Sequence, residues 1–183
     1  HSFEQLYFAL LPQYQDDILD DLCEILALED EGMMFYYRMY NYLGSGFSFG
    51  AGPLFQCDWE KLKDACIRHQ SVLPQRFAHM CPVYKYSDNG VILGFSDFFL
   101  WLCDNFGDQK QMLHSFSSNM GTYSWSGING FSDFIAGSIP FLKRLLEHEK
   151  PNVREWAALE LERNQKEVTY ETNKEAYERM IRG

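Results

Sequence analysis

The feature that most constrains the fold is a pair of apolar helical segments near the end of the chain. Residues 138–148 and 152–161 carry large apolar side chains every three or four positions, which is the period of an amphipathic helix. Pro151 stands where the second helix begins, a position that needs no backbone N–H. The two segments are therefore predicted to form a helical hairpin with a tight corner. Its inner faces are predicted to contain Leu142, Leu145 and Leu146 in the first helix, and Val153, Trp156, Ala157 and Leu161 in the second.

This hairpin resembles the repeating unit of HEAT-type proteins, in which Pro-x-Val-Arg opens the inner helix and a pair of alanines follows. The corresponding residues are 151–154 and the pair Ala157 and Ala158, and the resemblance covers residues 138–163. It implies helical pairs that stack side by side and bind other proteins on their surface. We therefore predict an all-α fold of irregular antiparallel helical pairs, arranged as a HEAT-like solenoid or a compact bundle.

Most of the remaining chain has the same helical periodicity, and helix-capping residues mark several boundaries. Asp58 is expected to cap one helix, and Ser96 or Asp97 another. The turn-forming residues 87–90 are compatible with one small β-hairpin near 83–93, and the alternative is a loop between two helices. We expect a single helical domain over 1–163, followed by a charged helix or tail over 164–183. The other predicted helices are Phe3–Leu11, Gln13–Leu28, Met33–Leu43, Trp59–His69, Pro74–Met80, Phe98–Phe106 and Gln109–Phe116. The first helix of the terminal hairpin is expected to begin earlier, as part of Phe131–His148.

The composition limits the classes of partner and compartment. With 46% hydrophobic and 16% aromatic residues, the chain can fill a sizeable core. A net charge of −10 disfavours nucleic acid and anionic membrane surfaces as ligands, because both repel an acidic protein. No apolar run reaches the length of a membrane-spanning helix. The five cysteines are an odd number at scattered spacings, which is typical of a reducing compartment, so we predict a cytoplasmic location.

The sharpest polar feature is a run of carboxylates within the predicted helix 13–28. Residues 1–37 hold nine acidic side chains and no Lys or Arg, a one-sided charge that would steer a basic partner. We predict that this acidic face binds a basic protein. The alternatives are a solvated face and pairing within the fold with Arg38, Lys61 or Lys63. The face consists of two rows at a spacing of four, formed by Asp16, Asp17, Asp20, Asp21 and Glu24.

Two motifs raise enzymatic alternatives. Asp16, Asp17 and Asp20 form Asp-Asp-x-x-Asp, which resembles the magnesium-diphosphate motif of isoprenoid synthases. Such enzymes need a second acidic motif on a facing helix, and the sequence contains none. Ser48 lies in Gly-x-Ser-x-Gly, but a predicted helix precedes it where a hydrolase would have a strand. His and Cys show no zinc-ligand spacing, so we predict a non-catalytic chain without a metal or a cofactor.

A second candidate binding surface lies in the loop 117–130, which carries Tyr123 and Trp125. Tyr and Trp dominate interface hot spots, although Trp125 could instead fold back into the core. The segment 98–162 resembles helical segments of bacterial antiphage defence proteins and of small immunity proteins. That resemblance implies a protein-binding module whose partner is a basic toxin or another domain of a larger protein. The chain does not begin with Met, which favours the domain interpretation, and a purely structural domain remains the third alternative.

Overall fold

The computed structural model describes residues 10–28, 52–120 and 131–182. Within these ranges the chain is mostly α-helical with one two-stranded antiparallel hairpin, which confirms the predicted fold class. The α-helices are α1 (Gln15–Ala27), α2 (Trp59–Arg68), α3 (Leu73–Met80), α4 (Asp97–Phe106), α5 (Lys110–Met120), α6 (Phe131–Leu145) and α7 (Pro151–Arg182). The hairpin consists of β1 (Tyr84–Tyr86) and β2 (Ile92–Phe95), and a 3₁₀ turn spans Pro53–Gln56. None of the helices in these ranges is long and apolar enough to cross a membrane.

Contacts along the chain divide it into two compact units. The first comprises residues 1–83 and 96–122, and therefore holds α1 to α5. The second comprises residues 84–95 and 123–183, and holds the β-hairpin with α6 and α7. The predicted domain, 1–163, stays a prediction, as do the solenoid and the bundle arrangements. The structure does show that residues 163 and 164 lie within one continuous helix, α7.

The first unit is built around an aromatic and aliphatic core to which every described helix contributes. Phe98 of α4 lies 5.3 Å, between ring centroids, from Phe55 of the 3₁₀ turn. Phe99 and Phe116 join α4 to α5 with centroids 4.5 Å apart. The predicted caps are confirmed: Asp58 accepts a hydrogen bond from the backbone of Glu60, and the Ser96 hydroxyl accepts one from the backbone of Phe99.

The second unit contains the predicted helical hairpin, and its two helices are antiparallel. The start of α6 lies against the far half of α7, because Ser132 bonds to Glu175 and Ser138 to Asn164. Pro151 occupies the first position of α7, as its missing N–H predicts. The first helix of the hairpin, α6, ends at Leu145, three residues before its predicted end.

The corner after α6 is a tight turn. His148 donates its backbone N–H to the carbonyl of Leu145, a spacing of three that breaks the α-helical pattern. Arg154 of α7 then donates to the carbonyls of His148 and Glu149, at 2.6 and 2.8 Å. The corner is thus fixed by a side chain from the helix that follows it.

The β-hairpin packs on α6 through its aromatic side chains. Tyr86 stacks on Phe134, with ring centroids 6.4 Å apart, and Phe95 meets Phe141 edge-on at 6.2 Å. Gly90, with φ of 75°, supplies the left-handed residue that the turn requires. The predicted hairpin is therefore confirmed.

One predicted boundary in the first unit is wrong. Helix α5 does not end at Phe116 but continues to Met120, through residues that the sequence placed in a loop. Met112, Phe116 and Met120 lie four positions apart and are all buried, so the apolar face continues for one more turn. The Ser118 hydroxyl bonds back to the His114 carbonyl at 3.3 Å, which accommodates serine inside the helix.

Candidate protein-binding face

Helix α1 carries the predicted acidic face, and apolar side chains on another side of the helix are buried in the fold. Leu19, Leu22, Cys23 and Leu26 are buried, at spacings of three and four. The helix packs against α2 and α3. Arg76 of α3, itself only 6% exposed, donates to the carbonyl of Leu26 and, at 2.9 Å, to that of Leu28. A buried guanidinium thus satisfies the last carbonyls of α1 and fixes its position.

One row of carboxylates on α1 is paired with cations of α2. We call Asp16, Asp20 and Glu24 the inner row. Asp16 binds the Nζ of Lys61, and Asp20 accepts a hydrogen bond from Arg68 at 3.0 Å. Glu24 lies 2.9 Å from Nε2 of His69 and 3.9 Å from the Arg68 guanidinium. Of the cations that the sequence offered as internal partners, Lys61 is confirmed, whereas Lys63 bonds to Glu60 instead and Arg38 lies outside the described residues.

Hydrogen bonds to the inner row raise the pKa of two basic side chains of α2. The bond to Asp16 raises the pKa of Lys61, and the bond to Asp20 raises the pKa of Arg68. Lys61 and Arg68 therefore carry their positive charge throughout the neutral pH range. These are surface pairs, so they align α1 with α2 rather than contribute much to stability.

The same pairing argues against the magnesium interpretation of Asp16, Asp17 and Asp20. A metal at this site would have to displace Lys61 from Asp16 and Arg68 from Asp20. No group of three or more carboxylate, His or Cys side chains within residues 10–28, 52–120 and 131–182 is arranged to hold a metal ion. The Ser48 motif lies outside the described residues.

The second row, Asp17 and Asp21, behaves differently, and we call it the outer row. Both residues are exposed, and neither has a cation within ion-pair distance in the part of the chain that the structure describes. They lie four positions apart on one side of the helix, so their two negative charges are close together. The carboxylates of the inner row therefore form ion pairs within the fold, whereas those of the outer row face solvent.

Apolar side chains accompany the outer row on the exposed side of α1. Tyr14, Ile25 and Leu28 are 54, 41 and 48% exposed, and they recur with Asp17 and Asp21 every three or four residues. Ile25 is therefore not part of the buried face that Leu22, Cys23 and Leu26 form. Because α2 and α3 cover only part of α1, Ile25 remains at the surface. The spacing of these apolar residues can be read from the sequence. It does not show which of them the neighbouring helices leave exposed.

Tyr123 and Trp125, the predicted aromatic binding residues, lie outside the described residues. The five cysteines are all buried, and burial raises the pKa of Cys57 to about 11 and of Cys23 to about 12. Such thiols carry almost no thiolate near neutral pH, which fits their interpretation as inert core residues.

Comparisons of the chain with protein-family models, with curated proteins and with solved structures found no match. The HEAT-like and defence-related resemblances therefore stay predictions.

Proposed function

We propose that this chain is a non-catalytic helical module that binds a basic protein through the outer face of α1. The observation that carries the proposal is the division of the acidic face into two rows. Asp16, Asp20 and Glu24 have partners on α2 or directly after it, whereas Asp17 and Asp21 have no cation partner among the described residues. A like-charge pair at a spacing of four costs stability unless a cation offsets it, and a basic partner would supply that cation.

The apolar neighbours give the proposed interface its binding energy. Charged rims set the association rate and the specificity, while buried aromatic and aliphatic side chains supply most of the affinity. Tyr14, Ile25 and Leu28 are the exposed apolar residues beside the outer row. The complementary surface is therefore basic and amphipathic, with Lys or Arg placed to meet Asp17 and Asp21.

The identity of the partner is proposed from the resemblance. A basic toxin, neutralised by being covered, fits the immunity-protein resemblance, and a basic domain of the same larger protein fits the defence-protein one. The five free thiols support the cytoplasmic location predicted from the sequence, because that compartment keeps cysteines reduced.

The test is affinity capture with matched charge variants. The tagged chain and the Asp17→Lys/Asp21→Lys variant are used to capture proteins from the native lysate, and the bound proteins are identified by mass spectrometry. The control, Asp104→Lys/Asp108→Lys, makes the same change in net charge at exposed positions outside α1 and the two helices that pack on it. The expected result is a basic protein bound by the wild type and the control but not by the outer-row variant.

A purified complex then decides whether the contact is direct. Binding of the captured protein should weaken steeply with added salt, because exposed charge pairs are screened beyond a Debye length of about 8 Å at physiological ionic strength. Equal loss of binding in the control, or a partner that still binds the outer-row variant, would contradict the proposed face.

A further inference from the structure

Helix α7 has an inverted distribution of polar and apolar side chains in its second half. Its buried positions there are acidic, with Glu171 and Glu175 only 7 and 8% exposed. Its large apolar side chains face away from α6: Tyr170 and Tyr177 are 62 and 65% exposed. The same exposed stripe includes Leu159, Met180 and Ile181, which are 59, 83 and 66% exposed.

Specific bonds prevent α7 from rotating to bury this stripe. Glu175 accepts hydrogen bonds from the backbone and the hydroxyl of Ser132, and Asn164 donates to the Ser138 hydroxyl at 2.8 Å. Both contacts lie on the face opposite Tyr170 and Tyr177. The apolar stripe is therefore a fixed surface of the second unit.

We propose that the stripe is the interface of a homodimer in which two copies of α7 pack antiparallel around Tyr170. The arrangement of the side chains is self-complementary about that residue. Leu159 and Ile181 lie eleven positions before and after it, so each would meet the other across the interface. Arg163 and Tyr177 lie seven positions to either side, where a guanidinium would meet an aromatic ring.

The charged residues that lie between these pairs are compatible with an antiparallel dimer. Lys166 and Lys174 lie four positions to either side of Tyr170 and would face each other. Each has its own carboxylate on the same helix, because Lys166 bonds to Glu162 at 2.5 Å and Lys174 to Glu171 at 3.0 Å. The repulsion between the lysines is thereby reduced, and antiparallel helices also oppose their dipoles favourably.

The size of the stripe suits a moderately stable dimer. From Leu159 to Ile181 the helix rises about 33 Å, at 1.5 Å per residue. The five apolar side chains present on the order of 600 Å² per copy, so two copies would bury about 1,200 Å², the lower edge of the range for specific interfaces. We therefore expect dissociation constants of about 1–100 µM.

Sedimentation velocity of the full chain tests association. The expected mass rises from 21.5 kDa to twice that value as the concentration passes through the expected range. Tyr170→Glu should weaken association at least about tenfold, because the substitution places two carboxylates next to each other on the symmetry axis. Ala176→Glu adds the same charge at an exposed position outside the stripe and should leave association unchanged. A monomer at all concentrations, or equal weakening by both variants, would overturn the proposal.

Cysteine cross-linking tests the orientation. Residue 170 would meet its own copy, so Tyr170→Cys should form a disulfide-linked dimer under mild oxidation. Leu159→Cys should not link to itself, but it should link to Ile181→Cys when the two variants are mixed. The native cysteines that the chain already contains are buried and would not interfere. Self-linking of Leu159→Cys would indicate a parallel pair and would overturn the antiparallel assignment.

Discussion

The carboxylate of Glu175 holds the first turn of α6, although the two lie 43 positions apart in the sequence. It accepts hydrogen bonds from the backbone N–H and the hydroxyl of Ser132, at 3.4 and 3.1 Å. A negative charge at the start of a helix satisfies a free N–H group and complements the helix dipole. The contact therefore ties the far half of α7 to the beginning of its antiparallel neighbour.

Replacing Glu175 should destabilise the chain measurably. Glu175→Ala removes both hydrogen bonds and is expected to lower the free energy of unfolding by about 1–2 kcal/mol. Glu175→Gln keeps an acceptor and should cost less. Urea unfolding measures both changes, and Glu167→Ala, at an exposed position of the same helix, should stay within about 0.5 kcal/mol of wild type. Equal effects of the alanine variants at 175 and 167 would contradict the capping role.

Arg76 should matter more for stability than Arg68, although both contact α1. Arg76→Met removes a buried donor from the carbonyls of Leu26 and Leu28, which is expected to cost about 1–3 kcal/mol. Arg68→Met breaks a half-exposed pair with Asp20 and should cost less than about 1 kcal/mol. Denaturant unfolding of the two variants checks the order, and the reverse order would show that α1 is not positioned by Arg76.

Two glycines in the second unit should respond to alanine in opposite directions. Gly137 lies inside α6, and an added Cβ would meet only the Cδ1 of Ile92 at an ordinary 3.9 Å. Gly137→Ala is therefore expected to raise the melting temperature, since alanine favours a helix over glycine by about 1 kcal/mol. Gly90 has a φ of 75°, so Gly90→Ala should lower the melting temperature by straining the hairpin turn. Thermal melts in which both variants shift in the same direction would contradict the roles assigned to the two glycines.

Alkaline pH should destabilise the fold through its buried thiols. An exposed thiol ionises near pH 9.0, whereas burial, with a smaller effect from the Asp20 carboxylate, raises the pKa of Cys23 to about 12. Between these values the unfolded chain binds fewer protons than the folded chain, so the free energy of unfolding falls as the pH rises. Each such thiol contributes a slope of up to about 1.4 kcal/mol per pH unit.

The Cys23→Ala variant isolates this contribution. Its free energy of unfolding, followed by urea titration from neutral pH to about pH 11, should decline less steeply than that of the wild type. Tyrosines and lysines titrate in both proteins, so their effects cancel in the difference between the slopes. Parallel pH profiles would mean that Cys23 ionises equally in the folded and unfolded chains.

Local patterns in the sequence determined where most elements lie. Asp58 and Ser96 predicted helix starts because a short polar side chain satisfies the free N–H groups of the turn that follows it. Pro151 predicted the beginning of α7, and residues 87–90 predicted the hairpin turn, because each restricts its own backbone angles. Such signals act over a few residues, so they can be read without knowing the rest of the fold.

The tertiary structure decided which side chains of those elements are paired, buried or exposed. Asp16 and Asp17 are neighbours in one acidic run, yet within the described residues only Asp16 faces a cation, Lys61, which lies 45 positions away. Helix α7 likewise exposes Tyr170 and buries Glu171 because Glu175 is bound to Ser132. The rotation of a helix about its axis depends on contacts with distant segments, and the helix's own periodicity does not fix it when both faces carry polar and apolar residues.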